Sequence, residues 1–207
     1  MRVQVWWSSL VAADRALLEL LDPTERARVQ ALERPADQGR SLLGAALLRV
    51  AVGEHLGVPP GEVVIDRTCA DCGGPHGRPR VLGAGADAPQ VSVSHSGLLV
   101  VVALSAEVPV GIDVQRVTDL ADTAGAPDET GAQAWVRREA AFKAGTDRPA
   151  VRLLATPLEG YAAALATRSE HPPSDAELLV RSWTGVNSAA ADPARPSCWP
   201  GGPHPPT

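Results

Sequence analysis

Apolar residues recur along this chain in two rhythms, alternate in some stretches and spaced by three and four in others. Residues 3–7, VQVWW, alternate and predict a first strand. Asp14 is placed to cap a short helix carrying Leu17, Leu18 and Leu21. Asp22-Pro23-Thr24-Glu25 reads as a second helix start, with a cap, a proline at the first position and an acid two residues on. Asp37 is expected to cap a third, longer helix. Its apolar positions Leu42, Leu43, Ala46, Leu47, Val50 and Ala51 fall at helical spacing, and Gly57 stops it. This helix is the expected spine of the first half.

Beyond Pro59-Pro60 the pattern turns strand-like. Val63 to Asp66 is a short strand, and CADCGGPHGRP is a loop dense in glycine and proline. Val91 to His95 alternates, Ser96-Gly97 suits a hairpin turn, and Leu98 to Leu104 reads as a strand buried on both faces. Val108 to Val114 is a further strand, and 118–131 is small, polar and loop-like. A helix follows from about Gln133 to Ala144, stopped by Gly145. Gly160 to Ala166 and Glu177 to Trp183 are expected strands, although the alanines of the first also suit a helix. From Ala191 onward six of 17 residues are proline, so the tail is expected to be disordered.

The 207 residues are 44% apolar and 21% charged, enough to bury a core in a globular chain. The longest apolar run, Leu98 to Leu104, falls short of the roughly 18 residues of a membrane span. No export signal is legible in MRVQVWWSSL, so a cytoplasmic location is the default. Three cysteines do not close into disulfides. A net charge of −5 argues against general nucleic-acid binding, but leaves room for a local cluster that holds a polyphosphate. Arginine outnumbers lysine 18 to one, and the single lysine is Lys143.

The candidate chemistry begins on Val110-Gly-Ile-Asp-Val-Gln115. A period of two places Gly111, Asp113 and Gln115 on one face, where a carboxylate and an amide oxygen suit a hard cation such as Mg²⁺ and Gly111 leaves room for a ligand. An ordinary polar sheet face explains the same residues. In the helix WVRREAAFKAG, Trp135, Glu139 and Lys143 share one face. If that face meets the strand, Asp113, Gln115 and Glu139 surround one cation, with Lys143 beside it to steady a transferring phosphoryl group. Taken alone, Glu139 and Lys143 make a surface ion pair. Val91-Ser-Val-Ser-His-Ser-Gly97 adds hydroxyls and an imidazole at a hairpin, and Asp37-Gln-Gly-Arg-Ser41 offers an anion a helix start. Cys69-x₂-Cys72 with His76 makes half of a zinc site; the remaining candidates are Cys198 and scattered histidines, so two reduced thiols in a loop is the simpler reading.

In this order VSVSHSG, VGIDVQ and WVRREAAFKAG resemble the signature of the Sfp-type 4′-phosphopantetheinyl transferases, and GRP at 77–79 also fits. The resemblance covers roughly residues 17–166. It implies an α+β fold of two pseudo-symmetric halves, each a small antiparallel sheet packed on a long helix. The halves would be 1–105 and 106–190, followed by the tail at 191–207. It further implies a monomer that moves the phosphopantetheine arm of coenzyme A to a serine of an apo acyl or peptidyl carrier protein, using Mg²⁺, with no nucleic acid or membrane involved. On that reading Asp113, Gln115 and Glu139 are metal ligands and Glu139 is also the base. Lys143 neutralises the transferred phosphate, and Ser94, His95 and Arg78 contact the coenzyme's phosphates. Arg40 and Ser41 hold its nucleotide end, with Arg34 a looser match. The pattern departs from the family at Gln115, where many members carry glutamate, and in the short stretch 118–134, where members carry a carrier-docking helix. A coenzyme A-binding member of the same fold with impaired catalysis is the alternative.

Overall fold

The computed structural model describes residues 1–120 and 129–185. The chain runs β1 (Val3–Ser9), α1 (Pro23–Gln30), α2 (Pro35–Leu56), β2 (Val64–Asp66), β3 (Arg80–Leu82), β4 (Gln90–Ser96), β5 (Leu99–Ser105) and β6 (Val110–Arg116). It continues with α3 (Glu129–Ala144), β7 (Ala150–Leu153), β8 (Tyr161–Thr167) and β9 (Leu178–Ser182). Two larger sheets result, ordered β4-β5-β1-β9 and β6-β8-β7, besides the small hairpin β2-β3. The architecture is α+β, as expected. The expected tail lies outside the described residues.

Local signals explain most helix ends. Asp14 caps a short 3-10 helix over Arg15–Leu20 rather than an α-helix. At α1, Asp22 and Glu25 form the reciprocal capping box, with Pro23 at the first position. The start of α2 differs from expectation. Arg34 occupies its N-cap without a side-chain cap, because Pro35, pre-set to helical φ, starts the helix three residues early. Asp37 instead lies in the first turn and pairs with Arg40.

The two faces of β1 and β5 serve two cores. Trp6, Val100, Val102 and Leu104 pack on α2, together with Leu43, Leu47 and Val52. Val3, Val5, Trp7, Leu99 and Val101 turn the other way, onto Val110, Ile112 and Val114 of β6 and Leu165 of β8. A third cluster joins α3 to β8 through Ala132, Val136, Ala140, Ala162, Ala164 and Ala166. The alanines settle β8 as a strand: small side chains on one face let a helix lie close against the sheet. The layers therefore run helix, sheet, sheet, helix.

Two features of the topology escape the sequence pattern. The strands β3 and β7 are new. The strand β9 leaves the second half and pairs in parallel with β1, Val3 opposite Leu178 and Trp7 opposite Ser182, so the first sheet is not wholly antiparallel. Beneath α2, Arg49 is 2% exposed and lies 2.6 Å from the buried Glu25 carboxylate, joining α1 to α2. No helix among the described residues is long and apolar enough to cross a membrane.

Candidate active site

β4 and β6 are edge strands of different sheets, and serine side chains bridge the seam between them. The alternation in β4 aims Ser92, Ser94 and Ser96 at β6. Their hydroxyl oxygens accept the backbone N–H groups of Ile112 (3.1 Å), Val114 (3.3 Å) and Arg116 (3.0 Å). Each hydroxyl thus stands in for a carbonyl that a neighbouring strand would have supplied. The hairpin tip is anchored as well. Gly97 takes the left-handed conformation, φ 52°, where a Cβ would fall 2.3 Å from the Tyr161 hydroxyl. That hydroxyl accepts the Leu98 N–H at 2.8 Å, and Arg40 donates to the Gly97 carbonyl at 2.9 Å.

Asp113 sits at the centre of this seam, 1% exposed. Its Oδ1 accepts the Ser94 hydroxyl at 2.7 Å and the Lys143 ammonium at 2.6 Å, and Lys143 also donates to the Ile112 carbonyl at 3.2 Å. The Gln115 amide lies 3.5 Å from Oδ2. A buried carboxylate needs such partners to remain ionised. Gly111, expected to leave room for a ligand, serves packing instead. A Cβ there would lie 2.0 Å from the Ala140 carbonyl oxygen and 2.4 Å from the Ala144 nitrogen, so the vacancy is filled by the α3 backbone.

Asp113, Gln115, Trp135, Glu139 and Lys143 line one cleft of about 650 Å³ with Ser41, Ser94 and His95. The strand face and the helix face therefore share a hollow. Burial, then the charge of Arg40, lowers the His95 pKa, with Lys143 adding to the effect. The ring is thus neutral at neutral pH, although its outer edge reaches solvent. The Trp135 Nε1 is buried with no hydrogen-bond partner among the described residues.

The basic residues are arranged differently from expectation. Arg34, Arg40 and Arg78 are not among the lining residues; Arg28 and Arg67 are. Arg40 is spent on the Gly97 carbonyl and Asp37. Arg78 donates to the Val110 carbonyl at 3.1 Å and lies against Gly145, at the end of α3. Arg28 reaches the cleft from α1, and its guanidinium holds the Pro75 carbonyl at 3.1 Å. Arg67 arrives on the loop after β2, where burial, then the nearby Arg28, pushes its pKa down to about 10. No periodicity marks either residue; only the tertiary contact of α1 with that loop brings them in. His76 lines the same wall.

A family model described as 4′-phosphopantetheinyl transferase, N-terminal, matches residues 6–107. The match takes in α2 and the β4–β5 hairpin, while β6 and α3 lie beyond it. A Synechocystis sp. protein, itself only provisionally assigned as a 4′-phosphopantetheinyl transferase, is 30% identical over 116 residues. These are 54% of this chain and 44% of that relative, so the similarity spans less than half of the relative's length. The first half of the chain is thus similar to the N-terminal part of 4′-phosphopantetheinyl transferases, and β6 and α3, which complete the cleft, lie outside that match.

Proposed function

We propose that this chain transfers the 4′-phosphopantetheine arm of coenzyme A to a serine hydroxyl of an apo carrier protein. The observation that carries the reading is the single cleft into which the seam presents Asp113 and Gln115, and α3 presents Glu139 and Lys143. The carrier's serine oxygen forms a bond to the β-phosphorus of coenzyme A's diphosphate, the phosphorus attached to the pantetheine arm. The bond from that phosphorus to the bridging oxygen breaks, and adenosine 3′,5′-bisphosphate leaves. Glu139 takes the hydroxyl proton, as a carboxylate facing the reacting centre can. Lys143 is a compact ammonium beside the transferred group and offsets its charge. Arg28, Arg67, His95 and Trp135 line the walls that receive the remaining phosphates and the nucleotide end, near Ser41.

The oxygens of Asp113, Gln115 and Glu139 form an all-oxygen set, the kind Mg²⁺ takes. The fit is supported by Asp113 itself: Lys143 and Ser94 both use Oδ1, and Oδ2 meets only the Gln115 amide, at a long 3.5 Å. Bound there, the ion supplies Lewis-acid neutralisation of the diphosphate.

The test is mass spectrometry of apo acyl and peptidyl carrier proteins incubated with the protein, coenzyme A and Mg²⁺. A gain of one phosphopantetheine is expected, and no gain across fatty-acid, polyketide and peptide-synthetase carriers would overturn the reading. Calorimetric coenzyme A binding without turnover would select a binding protein instead.

A further inference from the structure

We propose that Cys69, Cys72 and His76 bind one zinc ion, a site separate from the carboxylate centre, and that this ion fixes the loop carrying Arg67 and His76 to the cleft. The donor atoms of the three side chains lie within 4.8 Å of one another. Two thiols and an imidazole are soft-to-borderline donors, which suit Zn²⁺ and not the hard ion that an oxygen set takes.

The backbone around the sulfurs has the form of a metal-binding knuckle. The Gly73 N–H donates to the Cys69 carbonyl at 2.9 Å, and the Cys69 N–H to the Gly74 carbonyl at 2.8 Å, closing a tight turn. The Gly74 N–H points at the Cys72 sulfur at 3.4 Å. Backbone N–H groups of Cys72 and Asp71 are directed at Cys69. Such N–H···S bonds stabilise the anionic sulfur that a metal requires. The backbone passes close to the ligands at Gly74, where a Cβ would sit 3.1 Å from the His76 ring and 3.3 Å from the Cys72 sulfur.

The Cys72 sulfur and His76 Nε2 are 2.9 Å apart, a thiol–imidazole hydrogen bond. Tetrahedral zinc, with Zn–S about 2.3 Å and Zn–N about 2.1 Å, would hold these atoms about 3.6 Å apart. The ring needs to draw back by roughly 0.7 Å, which a side-chain rotation of the exposed histidine supplies. Three protein donors leave a fourth position for water, as Cys72 and His76 are open to solvent. The loop has no regular structure between β2 and β3; the Gly77 N–H closes its base on the Arg67 carbonyl at 2.7 Å, and Arg28 on the Pro75 carbonyl and Arg78 on the Val110 carbonyl tie it to the rest of the molecule.

The reduced full-length protein, stripped with a chelator, is titrated with Co²⁺ and then Zn²⁺. One equivalent of Co²⁺ is expected to give thiolate-to-metal charge transfer and the intense visible bands of a tetrahedral site, both erased by Zn²⁺. Cys69→Ser and Cys72→Ser should each abolish the bands, Cys198→Ser should keep them, and His76→Ala should weaken binding roughly tenfold or more. Circular dichroism of each variant separates loss of metal from loss of fold. No tetrahedral spectrum from the reduced wild-type chain would overturn the site, as would bands that persist without Cys69. A Cys69–Cys72 disulfide that takes up no metal after reduction would overturn it equally. None of these readouts depends on phosphopantetheine transfer, so the site stands or falls apart from the proposed activity.

Discussion

The Ser94 hydroxyl lies 2.7 Å from Oδ1 of Asp113, although the two residues belong to strands of different sheets. The same oxygen accepts the Val114 N–H, so one small side chain both closes the seam and orients the central carboxylate. Ser94→Ala would orphan a buried N–H and remove one of the two donors on Oδ1. A loss of about 1–3 kcal/mol is expected. Thermal denaturation should show a fall of several degrees together with weaker activity, and an unchanged Tm would contradict the bridging role.

Gly111→Ala tests the closeness of α3 to β6. The added carbon meets backbone at Ala140 and Ala144, not a side chain that can rotate away. The cost should reach or exceed the upper end of the about 1–3 kcal/mol usual for overpacking. Denaturant unfolding measures it, and a neutral result would mean that the helix does not lie where described.

Glu139→Gln should abolish phosphopantetheine transfer while leaving stability within about 0.5 kcal/mol, since the side chain borders the cleft and not the core. Lys143→Arg should slow turnover, because a broad planar fork does not reproduce an ammonium held at 2.6 Å from Asp113 and 3.2 Å from the Ile112 carbonyl. Asp113→Ala should be more damaging than Gln115→Ala in the same transfer assay. The reverse order would reassign the central ligand.

His95 supplies a pH dependence. Its folded-state pKa lies below the ordinary value, so the native state binds fewer protons than the unfolded chain near pH 6.5. Stability is therefore complete above the unfolded pKa and is lost as pH falls from there through the lowered folded value. An anion bound in the cleft raises that pKa again, so coenzyme binding should take up protons and tighten toward mildly acidic pH. Calorimetry in buffers of different ionisation enthalpy reads the uptake, which His95→Gln should remove.

The sequence alone revealed the parts whose causes are local. The α1 capping box, the glycine after α2 and the alternation in β4 each act within a few residues. Sidedness alone placed Glu139 and Lys143 together, and the shared cleft follows once α3 lies on β6. The basic wall was not legible in the same way. Arg28 and Arg67 enter it only because α1 meets a loop some 40 residues later in the chain, whereas Arg40, adjacent to the expected helix start, is drawn off to the hairpin carbonyl. The serines of β4 were legible as a row of hydroxyls, but their use as substitutes for strand pairing depends on two sheet edges meeting in space. Gly111 shows the same limit: the pattern reveals a missing side chain, and only the packing reveals what fills the gap.

The parallel pairing of β9 with β1 bears on how this molecule can be taken apart. During synthesis β1 must wait for residues 178–182 before its outer rim is covered. A truncated piece ending near residue 105 would present that rim, the N–H and C=O groups of Val3 to Trp7, to any other chain. Such a fragment should self-associate, and the first half is best regarded as a unit finished by a strand that follows it by more than 70 residues.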